Sequence, residues 1–113
     1  MSFEIVKEFE NKIADFYGAP YAVSVDCCTH GIELCLRLLE AKYMEVPKQT
    51  YISIPLLSKK LNIELKWKDE NWIDFYQIGG TNIIDSAVNW KKNSYVSGHF
   101  MCLSFQFRKH LNL

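Results

Sequence analysis

The chain lacks a net charge, a long apolar run and a regular spacing of cysteines, and each absence excludes a class of function. Thirteen basic and thirteen acidic side chains cancel, so no overall field draws the protein to nucleic acid or to an anionic membrane. Any anion site must be local. No uninterrupted apolar segment approaches the roughly 20 residues that a spanning helix needs. The first residues, Met1 to Glu8, mix acids into their apolar pattern instead of showing a basic start and an apolar centre. A cytoplasmic location without a membrane or nucleic-acid partner is the expectation. Four cysteines, Cys27, Cys28, Cys35 and Cys102, fall inside apolar segments, and no C-x-x-C pair occurs. That pattern reads as free thiols of a reducing compartment, not a disulfide framework or a zinc site. A metal centre drawn from Cys27, Cys28 and His30, with Cys35, His99, Cys102 or His110, is the competing use of the same residues. Neighbouring Cys27 and Cys28 diverge on an extended chain and suit it poorly.

Enough apolar material is present for one core. The 113 residues are 49% hydrophobic and 14% aromatic, which suits a single domain over 1–113. Phe9, Ile13, Phe16 and the Ile5/Val6 pair form a helical stripe over 3–17, with Gly18 and Pro20 to end it. Tyr21 to Val25 reads as a short strand. Asp26-Cys27-Cys28-Thr29 then turns into a helix carrying Ile32, Cys35, Leu36 and Leu39. Thr50–Leu61 predicts a second amphipathic helix in which Pro55 is tolerated in the first turn only. Ile63 to Trp67 alternates apolar and charged side chains, as an edge strand does. Residues 68–81 show no periodicity, and Gly79-Gly80 marks a turn. Two more strands are expected, at Asn82-Ile83-Ile84 and over Tyr95–Phe105, the latter broken at Gly98.

Helices alternating with buried strands predict an α/β fold, a three-layer α/β/α arrangement around a mainly parallel sheet. Ligands of such sheets bind beyond the carboxyl ends of the strands. Cys28-Thr29, Asp85 and Ser104 to Lys109 fall there. The amides opening the second helix, with the Thr29 hydroxyl, suit an anion, although Thr29 capping its own helix explains the residue equally well. Asp85 ends an apolar strand, where it either faces a cation or caps the next segment of chain. Tyr51 is either a ring-stacking aromatic or a core residue with its hydroxyl at the rim. Lys109, between Arg108 and His110, is either a solvated surface amine or a nucleophile.

Taken together, these residues resemble the DegT/DnrJ/EryC1/StrS family of pyridoxal-phosphate-dependent sugar aminotransferases, of the aspartate-aminotransferase fold type. The resemblance is carried by Tyr17-Gly18-Ala19-Pro20-Tyr21-Ala22-Val23, Cys28-Thr29, Val46-Pro47 with Thr50-Tyr51-Ile52-Ser53, Ile83-Ile84-Asp85-Ser86-Ala87, and Ser104-Phe105 followed by Lys109. It implies pyridoxal 5'-phosphate as cofactor, with Cys28, Thr29 and Ser104 at its phosphate. It also implies Tyr51 stacked on its ring, Asp85 at its ring nitrogen and Lys109 bonded to its aldehyde. Asp85 and Lys109 would be the catalytic pair, and a homodimer, an amino-acid donor and a nucleotide-linked keto-sugar the partners. Val88 stands where the family carries His or Gln, and the connection 68–81 is shorter than the family's. The chain thus reads as an N-terminal piece or a reduced version of the family's large domain. The alternative is a non-catalytic interaction domain that keeps the fold without the cofactor.

Overall fold

The computed structural model describes residues 3–105. Lys109, with Arg108 and His110, lies outside them.

Helix α1 (Phe3–Tyr17) follows the apolar stripe, and Gly18 ends it with a positive φ of 74°. The buried residues of α1, Ala14 and Tyr17, lie in its second half, whereas Phe3, Ile5 and Phe9 are exposed. The loop after residue 88 holds that half in place. Asn93 and Tyr95 donate their amides to the carbonyls of Phe16 and Tyr17 at 2.8 and 3.0 Å, and Trp90 lies against Phe16.

The strand expected over Tyr21–Val25 does not form. The segment has no ladder partner among the described residues, and Tyr21 and Val23 are both more than 80% exposed. Its β-branched and aromatic residues favour a strand only when a neighbouring strand accepts their backbone. Here the Ser24 amide donates instead to the Glu10 carboxylate at 2.7 Å.

Helix α2 (Cys28–Leu38) buries Ile32, Glu33 and Leu36. The strand β1 (Tyr43–Pro47), which periodicity did not reveal, comes next and buries Met44, Val46 and Pro47. Helix α3 (Ser53–Leu61) takes Pro55 in its first turn and stops at Asn62, which adopts the left-handed conformation. Strand β2 (Glu64–Lys68) returns parallel to β1, and β1 is its ladder partner, so it forms an edge as its alternation predicts.

The connection without periodicity contains the two-residue strand β3 (Tyr76–Gln77), antiparallel to β4 (Ile83–Asp85). The turn between them uses Gly80 at φ 82°, with the Thr81 amide donating to the Ile78 carbonyl. Of the strand expected over Tyr95–Phe105, only β5 (Phe100–Cys102) forms. It begins shortly after Gly98 and runs parallel to β4.

A two-stranded and a three-stranded sheet result. An antiparallel bridge joins them: the amide of each of Glu45 and Gly79 donates to the other's carbonyl, at 3.3 and 2.8 Å. The fold is therefore mixed α/β with short parallel pairs, and β3 inserts an antiparallel element between them. Ile32 and Leu36 of α2, Met44 and Val46 of β1, Ile54 and Leu57 of α3, and Tyr76, Ile78, Ile83 and Cys102 form one core. Among the described residues no helix is long and apolar enough to cross a membrane.

Candidate functional site

Asp85 is the last residue of β4 and stands opposite Cys102 of β5. Because the two strands run parallel, Ser104, just past Cys102, leaves from the end of the sheet that carries Asp85. Helix α2 packs on β4 and β5. Its first turn is close by: a Cβ on Gly31 would reach the Cys102 sulfur at 4.0 Å. The hydrogen bond to Cys35 first, and then burial, push the Cys102 thiol up. The helix start, the acid and the Ser104 segment thus share one rim.

Asp85 is 7% exposed. Its Oδ2 accepts the Tyr76 hydroxyl at 2.9 Å and its Oδ1 accepts the Ala87 amide at 3.1 Å. Both oxygens act as acceptors, which is the pattern of an ionised carboxylate. The Tyr76 hydroxyl in turn meets Thr50 Oγ1. Burial first, then the Asp85 charge, pushes the Tyr76 phenol far above its ordinary value, so it remains a donor.

A cleft of about 420 Å³ opens beside this group, within the range of small-molecule sites. Gln49, Thr50, Tyr51, Trp72 and Asp85 line it. Val88 also borders it. The Trp72 indole donates to the Gln49 carbonyl at 2.6 Å and its ring packs on Tyr76 at 5.0 Å. Trp72 and Tyr76 carry no helical or strand period in the sequence, and sequence reasoning missed both. The signal available was three aromatics, Trp72, Phe75 and Tyr76, close together in that connection.

The expected phosphate residues lie apart from the cleft lining. Cys27 caps α2 without a side-chain bond, so Thr29 is not the cap. Its hydroxyl pairs with Ser53 Oγ at 2.8 Å and ties the first turn of α2 to the first turn of α3. The leading amides of α2 are among the four that a helix leaves without intrahelical acceptors. Ser104 is half-buried and precedes Phe105, which packs edge-on against Phe9 and Trp90. Tyr51 and Asp85 line one cleft, and Cys28, Thr29 and Ser104 are not among its lining residues. Lys109 lies outside the described residues.

The cysteines are free thiols. Of the donors weighed for a metal, Cys27 and His30 come together with Asp26, all exposed and within 4.8 Å of one another. His30 Nδ1 lies 2.7 Å from Asp26 Oδ1, a hydrogen bond that accounts for the approach and lowers the Asp26 carboxyl below its ordinary range.

In a comparison with known families, the model of the DegT/DnrJ/EryC1/StrS aminotransferase family matches residues 1–56. Comparisons with curated proteins and with solved structures gave no match.

Proposed function

We propose that this chain, which belongs through residues 1–56 to the DegT/DnrJ/EryC1/StrS aminotransferase family, binds pyridoxal 5'-phosphate in the cleft between Tyr51 and Asp85. The observation that carries this reading is the pairing, in one cleft, of an aromatic wall with a buried carboxylate whose two oxygens both accept.

The residues present fit the ring of that cofactor. A flat heterocycle gains from the faces of Tyr51 and Trp72, and an ionised Asp85 suits a protonated ring nitrogen. When bound, the cofactor supplies an electron sink for the carbon bonded to the migrating amino group. The chain's own contribution begins with Asp85, which holds a proton at the ring nitrogen. The first turn of α2, with the Thr29–Ser53 hydroxyl pair and Ser104, would receive the phosphate through amide and hydroxyl donors and the favourable helix dipole. Lys109 would hold the aldehyde carbon and move protons at the reacting centre. The fuller reading is transfer of an amino group from an amino acid to a nucleotide-linked keto-sugar. That reading takes a homodimer and a three-layer α/β/α arrangement. The exposure of Tyr21, Val23, Tyr51 and Ile52 supports such an assembly, since apolar side chains gain from being covered.

The test is titration with pyridoxal phosphate, then borohydride and peptide mapping. Saturable binding with the label on Lys109 is the expected result. Binding lost in Asp85→Asn, with phosphate alone still retained, would separate the ring site from the anion site. No binding by the wild-type chain would favour the second reading, a non-catalytic interaction domain. Val88 bordering the cleft supports that alternative.

A further inference from the structure

The geometry points to Tyr76 as the positioning residue of the Asp85 carboxylate, holding it against the cleft through a Thr50–Tyr76–Asp85 hydrogen-bond relay. This inference rests on the ring-binding reading of the cleft, and it assigns a role to a residue outside the stretch matched by the family model.

A phenol has one proton. Tyr76 gives it to Asp85 Oδ2 at 2.9 Å, so the Thr50 hydroxyl must be the donor in its contact with Tyr76. The relay therefore has a fixed direction, Thr50 to Tyr76 to Asp85. Successive donors of this kind polarise one another in a low-dielectric interior, and Tyr76 is 2% exposed. Each end has a separate anchor. Thr50 precedes Tyr51, so the relay sets the distance between the aromatic wall and the acid. The Ala87 amide holds the other carboxylate oxygen, leaving the plane of Asp85 fixed by two donors from different elements.

The placement of Tyr76 comes from the short connection. β3 runs antiparallel beside β4 and pairs Tyr76 with Asp85 in register. A residue at that position of an antiparallel pair lies beside its partner on the same face of the sheet. Trp72, in the segment between β2 and β3, braces the arrangement by packing its ring on Tyr76 and donating to the Gln49 carbonyl. The connection thus builds the far side of the site as well as linking two strands. Among the described residues, the thiols of Cys28 on α2, which acts on Tyr76, and of Cys102 on β5, on which Asp85 acts, are titratable groups near the acid.

Tyr76→Phe removes only the oxygen, and Thr50→Val breaks the relay one step earlier. Two readouts are taken on the wild type and both variants: pyridoxal-phosphate affinity, and the titration midpoint of the Asp85 carboxyl carbon by NMR. Loss of one donor to a buried carboxylate raises that midpoint and weakens cofactor binding about tenfold or more. Thr50→Val gives a smaller change in the same direction on both. An unchanged Asp85 midpoint in folded Tyr76→Phe overturns the inference, whatever the cofactor does. A shifted midpoint with no cofactor binding in the wild type keeps the relay and removes the ring-binding reading. Cofactor binding equal in wild type and Tyr76→Phe, with a shifted midpoint, shows that the relay does not serve the ligand and also overturns the inference.

Discussion

The hydroxyl of Tyr17 donates to the carbonyl of Asn89 at 2.7 Å, joining the end of α1 to the loop beyond Asp85 across 72 positions of sequence. Tyr17 is 3% exposed, and this bond, with the Asn93 and Tyr95 amides, anchors the half of α1 that packs. Removing the oxygen in Tyr17→Phe should cost roughly 1 kcal/mol of stability, read as a lower urea midpoint with an unchanged slope.

The same side chain sets an alkaline limit. Burial pushes the Tyr17 phenol up to about 12, against about 10 in an unfolded chain. Between those values the folded state keeps a proton that the unfolded state has released, so stability is full below the lower value and falls as pH rises through the window. Denaturation midpoints measured from about pH 9 upward should fall in the wild type, and fall less in Tyr17→Phe.

On the acid side, Glu33 links the α2 and α3 helices of the core. It accepts from Lys60 of α3 at 2.9 Å and from Arg37 of its own helix at 3.0 Å. Those two bonds, Lys60 first, hold its carboxyl below the ordinary range. A depressed folded value means that the contribution is present above the unfolded pKa and is lost as pH falls through the folded one. Glu33→Gln should therefore lower stability at neutral pH and flatten the acid limb of the stability profile.

Gly79 allows the two sheets to touch. A Cβ there would lie 2.7 Å from the Glu45 Cβ, closer than carbon atoms pack, and the bridge that joins β1 to the β3 side would have to open. Gly79→Ala should destabilise by about 1–3 kcal/mol. Glu45→Ala in the same chain should not restore it, because the Glu45 Cβ remains; thermal melts of the single and double variants check this.

Ser86, next to Asp85, is fully buried, and its hydroxyl has no partner among the described residues. An unmet buried hydroxyl is costly, so Ser86→Ala should be neutral or stabilising by up to about 1 kcal/mol. Urea denaturation of the variant checks this, and a larger loss would show that the hydroxyl is engaged.

The helices were legible because each carries its own period and stop signals: Gly18 after α1, Pro55 confined to the first turn of α3. The carboxyl-end position of Asp85 was legible too, since a carboxylate closing an apolar run has few other places to go. The strands were less so. Tyr21–Val25 has the composition of a strand and forms none, while Tyr76–Gln77 has no period and pairs, because a ladder depends on which backbone comes alongside. Thr29 shows the same limit at the site: its sequence context fits a cap, and its hydroxyl instead meets Ser53 from another helix.

The sequence by itself determined the α/β class, the single core, the charge neutrality and the residues that carry the family resemblance, since these depend on composition, period and order along the chain. Only the tertiary structure decided that β3 enters antiparallel between parallel pairs. It also decided that Tyr76 reaches Asp85 and that Trp72 lines the same cleft as Tyr51. Those outcomes depend on distances between segments far apart in the chain, and no local pattern of residues encodes them.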